Sequence, residues 1–283
     1  MNITLQQKKA QTLLALHTNG KLLILPNIWD PIGARILEAK GYPAVATASA
    51  AVSSSLGYAD GEKIKRSTLM DVLSRISGSV DVPVTADIES GYGETLSELE
   101  ETILQVIDSG VAGINIEDSL KEEGALRSIE AQCERIAKVR KASGDQGIHL
   151  VINARVDTFL SDAFPTKQAK IEEAVKRAKA YSDAGADCIF PVGPGDSETL
   201  KELRSRITAP LNVIASRNAA PLTVLQEIGI NRVSFGPFIF RSVMKKFVDI
   251  VDALCDYKSY DCFGENMLSK TDADPFLRDE REG

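Results

Sequence analysis

Eight short apolar runs alternate with helical segments along the whole chain, and this alternation constrains the fold more than any other feature. The runs are rich in Val, Ile, Leu and Ala, and their near-continuous apolarity is typical of parallel strands buried on both faces. In chain order, they are Leu22–Trp29, Pro43–Ala50, Pro83–Ser90, Gly113–Asp118, Ile148–Asp157, Asp187–Gly193, Leu211–Ser216 and Arg232–Pro237.

The segments between these runs have the periodicity of amphipathic helices. In Thr95–Asp108, for example, the apolar residues Leu99, Ile103 and Val106 fall on one helical stripe. Ala131–Ala142 and Ile171–Ala184 have a similar pattern. Several helices end in a glycine-containing turn (AKGYPAV, DSGVAGI, DAGADCI, EIGINRV), which suits a left-handed helix cap.

Eight repeats of strand and helix predict a single (β/α)8 TIM barrel of the α/β class. A doubly wound open sheet is the alternative, but no glycine-rich dinucleotide fingerprint follows any strand. We assign residues 1–255 to the barrel domain, with residues 4–18 as a leading helix. Residues 256–283 are polar and interrupted by proline, and we expect an extension over a neighbouring subunit or a loose tail.

Charge and cysteine content exclude several classes of partner. The chain of 283 residues has a net charge of -7 and no stripe of Lys or Arg, so we expect neither nucleic acid nor a membrane as a partner. The four cysteines form no CxxC pair, which argues against a zinc site or a disulfide framework. The N-terminus lacks the apolar block of a signal peptide, and we expect a cytoplasmic protein.

Acidic residues cluster where the predicted strands end. In a TIM barrel the active site lies at the carboxyl ends of the strands. The third strand brings Asp87 and Glu89, two residues apart and so predicted to project from one face; the fourth ends at Glu117, and the loop after the second carries Asp60. Such a cluster raises its own pKa values or binds a cation. Oxygen ligands without His or Cys favour Mg²⁺, with Mn²⁺ as the other candidate.

Arg155 ends the fifth strand, which is otherwise built from Ile, Leu, Val and Ala. An arginine there suits two-pronged binding of a carboxylate or enolate oxygen, or else a salt bridge to Glu117 or Asp157, and the two roles can coexist. His149 begins the same strand and is therefore predicted at the opposite mouth. No lysine ends a strand, which disfavours Schiff-base chemistry.

Several spaced motifs in this order resemble the isocitrate lyase/phosphoenolpyruvate mutase superfamily. They are PNIWDPIGARILEAKGYPAVATASAAVSSSLGYADGE, TADIESGYG, GVAGINIEDS and INARVDTF, and DAGADCIFPVG and RVSFGP also fit. The resemblance implies a Mg²⁺-dependent barrel that acts on a small carboxylate substrate. It also implies a homo-oligomer, a dimer or tetramer, in which the last helix is swapped onto a neighbouring barrel.

The resemblance implies roles for individual residues. Asp87 corresponds to the direct metal ligand, and Asp60, Glu89 and Glu117 to acids that hold the metal largely through its waters. Arg155 corresponds to the catalytic arginine that contacts the oxo or carboxylate oxygens of the substrate. The segment with Thr47, Ser49 and Ala50 corresponds to the one that holds the substrate carboxylate.

The sequence departs from the superfamily after Asp118. The lyases carry a Cys-Gly-His loop there, whereas this chain reads SLKEEGALRSIEAQCERI, with Cys133 inside a predicted helix. The Lys-x-Asn element of the mutases is also absent. We therefore expect a lyase that cleaves a C–C bond of a 2-oxo acid through an enolate. The alternatives are a P–C mutase or hydrolase of the phosphonopyruvate type and a non-catalytic oxo-acid-binding barrel.

Overall fold

The computed structural model describes residues 3–120, 124–255, 260–263 and 267–277. Its strands are β1 (Leu23–Leu25), β2 (Asn27–Ile28), β3 (Val45–Thr47), β4 (Val84–Asp87), β5 (Gly113–Glu117), β6 (Val151–Val156), β7 (Cys188–Pro191), β8 (Asn212–Ile214) and β9 (Arg232–Ser234). Its helices are α1 (Ile3–Thr18), α2 (Pro31–Ala39), α3 (Ser49–Ser55), α4 (Arg66–Gly78), α5 (Leu96–Asp108), α6 (Ile129–Asp145), α7 (Lys167–Asp183), α8 (Ser197–Arg206), α9 (Leu222–Ile228), α10 (Phe238–Cys255) and α11 (Lys270–Ala273).

The strands are all parallel and follow one another around a TIM-barrel-like ring. β2 to β7 form one sheet in chain order, and β1, β9 and β8 form the other. The two sheets meet twice. β1 and β2 are consecutive segments of the first predicted strand, and a parallel bridge joins Ile189 of β7 to Leu211, next to β8. The eight predicted strands are therefore all confirmed, with the first divided in two.

Helix starts and stops follow the sequence signals. Thr95 and Glu98 form a reciprocal capping box at the start of α5, so two otherwise unpaired backbone amides are satisfied there. The predicted caps after α2, α5, α7 and α9 all contain a glycine with a positive φ; Gly229, for instance, has a φ of 85°.

The leading helix α1 closes the amino-terminal end of the barrel. Gln6 Nε2 donates to the carbonyls of Ile107 and Val111, and Leu13 is fully buried. A side chain at Gly113, where β5 begins, would meet Leu13 Cδ2 at 2.8 Å. Glycine at that position therefore allows α1 to seat against the barrel floor.

The C-terminal segments are described only in part. Residues 256–259, 264–266 and 278–283 lie outside the described residues. The described parts form α11 and two single 3-10 turns, of which Asp274–Phe276 lies against α2 of the same chain. A helix swapped between subunits stays a prediction, as does the domain boundary at residue 255. None of the described helices combines the length and apolar character that crossing a membrane requires.

Candidate active site

The third and fourth barrel strands bring their acids to one mouth, as predicted. β4 ends at Asp87, whose Oδ2 accepts hydrogen bonds from the backbone amide (3.0 Å) and the hydroxyl (2.9 Å) of Ser49. The Asp87 amide donates to Thr47 Oγ1 at 3.0 Å. Two residues from β3 and the start of α3 therefore fix the orientation of this carboxylate.

Glu89 reaches the cluster for a different reason from the one predicted. Because β4 ends at Asp87, strand alternation does not orient Glu89; its backbone has a φ of 53°, in the left-handed region. The Glu89 carboxylate accepts the Glu62 amide at 2.6 Å and the Tyr92 hydroxyl at 3.2 Å. A turn and two loop contacts, rather than the pleat of a strand, place this acid.

The carboxylates raise one another's pKa values. Burial, then Asp60 and Asp87, raise the pKa of Glu89 from 4.5 to about 7. Burial and then Asp87 raise the pKa of Asp60. Burial also raises the pKa of Glu117, and it outweighs the opposing attraction of Arg155. The protein alone therefore leaves negative charge in this cluster poorly compensated.

A hydrated divalent cation fits this cluster. Across the described ranges, no three acidic, histidine or cysteine side chains converge closely enough to ligate one ion directly. Mg²⁺ keeps several of its waters and is usually bound by one or two carboxylates. The donor set therefore fits an ion held directly by Asp87 and through waters by Asp60, Glu89 and Glu117, but it does not suit a dry cage of protein ligands.

Arg155 makes both ion pairs that the sequence allowed. Its Nη1 lies 2.7 Å from Glu117 Oε2 and its Nε 2.7 Å from Asp157 Oδ1. Burial opposes the charge, but Glu117 and Asp157 raise the pKa of Arg155 above its ordinary value, so the guanidinium stays protonated. Ser119 Oγ holds the other Asp157 oxygen at 2.5 Å. The guanidinium is therefore held through two of its three nitrogens.

These residues surround a cavity of about 210 Å³ at the carboxyl ends of the strands. It is lined by Asn27, Ala48, Ser49, Ala50, Asp60, Asp87, Asn115, Arg155, Phe190, Val192, Ile214, Ser234, Gly236, Pro237 and Arg241. A neighbouring cavity of about 240 Å³ is lined by Asp60, Glu89 and Glu117, among others. The acid cluster therefore lies between the two spaces. Thr47 is 1% exposed and lines neither of them, so it acts on Asp87 rather than on a ligand.

Some cavity residues had a sequence signal that was overlooked, and others had none. Asn27 and Asn115 are polar residues inside apolar strands, and this irregularity alone could have marked them. Asn27 also joins two strand ends, because its side chain donates to the Thr47 carbonyl and accepts the Gly236 amide. Arg241 comes from the first turn of α10, where nothing in the local sequence distinguishes it.

Asp118 and His149 lie away from the cavity. Asp118 is fully buried on the helix side of β5, where it accepts from Arg177 (2.8 Å) and Tyr181 (2.7 Å). His149 precedes β6 and lies 2.7 Å from Asp187, which precedes β7. His149 is therefore at the amino-terminal mouth, as predicted.

The loop after β5 forms a short hairpin at its base. Ser119 and Leu126 form an antiparallel bridge, and the Leu120 amide donates to the Ala125 carbonyl at 2.9 Å. Cys133 lies in the helix that follows, α6, and burial raises the pKa of its thiol. Its helical position agrees with the sequence prediction.

Comparison with known proteins identifies the family. A family model described as phosphoenolpyruvate phosphomutase matches residues 13–255. The chain belongs to this family. It is therefore a member of the phosphoenolpyruvate mutase/isocitrate lyase superfamily, as the sequence motifs indicated.

Relatives in the family carry different activities in their names. A 2-methylisocitrate lyase from Aeropyrum pernix is 30% identical over 275 residues, which covers 89% of this chain and 86% of that protein. An oxaloacetate decarboxylase from Pseudomonas putida GB-1 is 30% identical over 212 residues, covering 72% and 69%. A crystal structure from Burkholderia cenocepacia J2315, provisionally described as a phosphonomutase, is 35% identical, with a TM-score of 0.83 and coverage of 87% and 98%. Family membership therefore indicates carbon–carbon or phosphorus–carbon chemistry on carboxylates without choosing between them.

Proposed function

We propose that the protein is a Mg²⁺-dependent lyase that cleaves a C–C bond next to the carbonyl of a small 2-oxo acid. The observation that carries the proposal is the joint placement of Asp87, Asp60 and Arg155 around one cavity at the carboxyl ends of the strands. The cavity is smaller than the roughly 300–1,000 Å³ of pockets for drug-sized ligands, which favours a small substrate.

The proposed chemistry divides between the ion and the arginine. A bound Mg²⁺ supplies Lewis-acid stabilisation of negative charge on the oxo oxygen. With Nε and Nη1 of Arg155 held by Asp157 and Glu117, its remaining amino group, Nη2, is left to donate to the substrate. A donor fixed in advance costs little reorganisation as the enolate forms, so its contribution grows in the transition state.

A second carboxylate on the substrate also has a candidate partner. Arg241 lines the same cavity from the first turn of α10. In the described part of the chain, no ion pair occupies its guanidinium. A 2-oxo or 2-hydroxy diacid would therefore find one cation for each end, which favours C–C cleavage of a diacid over reaction of a monoacid.

The competing proposal is P–C chemistry on a phosphonopyruvate-like compound. The 35% identity to the Burkholderia protein supports it, while the two 30%-identical relatives with C–C activities support the lyase. A binding protein without turnover is a third candidate. The retention of the whole set Asp60, Asp87, Glu89, Glu117 and Arg155 argues for catalysis.

Turnover of a substrate panel tests the proposal. Purified protein with Mg²⁺ is incubated with 2-oxo acids, 2-hydroxy diacids and phosphonates, and both pyruvate and inorganic phosphate are followed. Release of pyruvate from a diacid without phosphate supports the lyase. Phosphate release, or isomerisation of the phosphonate, would support P–C chemistry instead. Absence of turnover on all compounds, together with measurable oxalate binding, would leave the non-catalytic protein as the explanation.

We also propose that the chain forms a homo-oligomer, a dimer or tetramer, through α10. This helix has 18 residues and an apolar face that includes Phe247 (58% exposed), Val243 and Val251, yet only Phe240 is buried. A continuous exposed apolar face on a helix is typical of a subunit interface. Packing of this helix against a neighbouring barrel would cover it.

A further inference from the structure

A fully buried arginine lies inside the barrel beneath the candidate active site. Arg232 is in β9 and is 0% exposed, and within the described residues its side chain makes one hydrogen bond, from Nη2 to Asn115 Oδ1 at 3.2 Å. Asn115 is itself a lining residue of the cavity and is register-paired with Asp87. A single amide therefore separates the guanidinium from the cavity.

No carboxylate neutralises Arg232 in an ion pair within the described ranges, and its Nε and Nη1 have no partner there. The register partners of Arg232 are Asn212 on one side and Leu23 on the other, and Asn153 donates to the same Asn115 oxygen at 2.8 Å. Burial lowers the pKa of Arg232 to about 10, so the group remains charged at neutral pH. Buried charges are normally paired, because desolvation without a counter-ion costs several kcal/mol.

The positive charge of Arg155 is already neutralised by ion pairs. Its two ion pairs to Glu117 and Asp157 place one guanidinium against two carboxylates. The remaining acids of the cluster, such as Asp87, add further negative charge, which a divalent cation only partly offsets. Arg241 lines the cavity and attracts a dianionic substrate, and any further positive charge close to the cavity adds to that attraction. Arg232 is a fully buried cation that lies one amide, Asn115, away from this space, and it has no carboxylate partner in the described residues.

We propose that Arg232 is a positioning residue that acts through Asn115 as a fixed positive charge beneath the cavity. This charge favours the binding of dianionic 2-oxo acids and weakens the binding of the divalent metal ion. This inference rests on the proposed function, because it concerns the same cavity. It goes beyond that function by assigning the anion preference to a residue that touches neither ligand.

The inference predicts opposite changes in two affinities. In Arg232→Met, which keeps the side-chain volume but removes the charge, affinity for Mn²⁺ alone should rise about tenfold, because a repelling charge is lost. Affinity for oxalate, a planar dianion shaped like the enolate of pyruvate, should fall about tenfold in the Mg²⁺-saturated protein. Calorimetry measures both without requiring turnover. A residue with a merely structural role would weaken both affinities together.

Two further variants make the result interpretable. Arg232→Lys keeps the charge and should restore oxalate affinity to within about threefold of the wild-type value. Arg75→Met removes the same charge from the exposed end of α4 and should change neither affinity. Equal losses of both affinities in Arg232→Met, or no change in either, would overturn the inference. If Arg232→Met does not fold, the test rests on Arg232→Lys. A folded Arg232→Lys protein whose oxalate affinity falls well below that of the wild type would then overturn the inference. A wild-type protein that binds neither Mn²⁺ nor oxalate would refute the proposed function itself.

Discussion

Arg155 and Glu117 are register partners on neighbouring strands, and Arg155 Nη1 lies 2.7 Å from Glu117 Oε2. The same guanidinium binds Asp157 through Nε. A candidate substrate ligand is therefore also a structural link between β5 and the loop after β6. Removing it should affect both the reaction and the stability of the fold, and the two effects can be measured separately.

Arg155→Lys is expected to lower kcat roughly a hundredfold and to raise KM. Lysine keeps the charge but loses the rigid planar guanidinium that fixes Nη2, so the contact that strengthens with the enolate is lost. The melting temperature should also fall, by about 2–6 °C, because Glu117 and Asp157 lose well-aligned partners. Steady-state kinetics per folded molecule, with calorimetry on the same preparation, measure both. An unchanged kcat with a lower melting temperature would restrict Arg155 to a structural role.

Metal dependence should be complete and should depend on Asp87. Turnover is expected to vanish with EDTA and to return on addition of Mg²⁺ or Mn²⁺. Asp87→Ala should remain inactive even at saturating metal, because the only carboxylate assigned as a direct ligand is gone. The hydroxyl and amide of Ser49, which bind Asp87 in the structure, provide a comparison: Ser49→Ala removes one of the two bonds and should weaken metal affinity only partly. Full turnover in EDTA would contradict the assignment.

The stability of the metal-free protein should fall as the pH rises from about 5 to 8. In the folded state the pKa of Glu89 is raised from 4.5 to about 7, so below pH 4.5 this group does not lower the free energy of unfolding. Above that pH the unfolded chain releases the proton first, and stability is lost until the pH passes the folded pKa. Glu117 acts in the same direction.

Thermal unfolding with and without Mg²⁺ checks this pH dependence. The gain in melting temperature from Mg²⁺ should be larger at pH 8 than at pH 6, because the ion binds the ionised cluster. Glu89→Gln should flatten the metal-free profile. A profile of Glu89→Gln that still falls as steeply as that of the wild type would mean that other groups cause the loss.

Cys133→Ser should leave turnover nearly unchanged. The thiol is in α6, and burial raises its pKa, so it is a poor acid–base group at neutral pH. The relevant measurement is kcat/KM of the variant beside that of the wild type. A hundredfold loss, which corresponds to about 2.7 kcal/mol of barrier, in a correctly folded variant would reassign the proton-transfer role to this cysteine.

The backbone architecture was accessible from the sequence because burial on both faces leaves a strong pattern. Every predicted strand contains an observed one. Asp87, Glu117 and Arg155 lie at the carboxyl ends of three different strands, as expected. Alternation also explains the outward position of Asp118, one residue after Glu117, where it binds Arg177 and Tyr181.

The site features that the sequence did not predict depend on loop conformation and on contacts between residues far apart in the chain. The position of Glu89 follows from a backbone with positive φ and from the amide of Glu62, 27 residues earlier, and no local periodicity encodes either. Arg241 lines the cavity only because α10 starts above it. Arg232 is the first residue of its predicted strand, and its significance appears only once Asn115 and the cavity are placed beside it.

Phe247→Glu should dissociate the proposed oligomer. Phe247 lies mid-way along α10 and is 58% exposed, so a charge there would disrupt an interface while costing the isolated subunit little. Light scattering coupled to size exclusion should show the wild type as a dimer or tetramer and the variant as a smaller species. Lys246→Glu, an exposed neighbour on the same helix, serves as the control and should keep the wild-type assembly. A wild-type monomer, or an oligomer that Phe247→Glu leaves intact, would show that this apolar face serves another purpose.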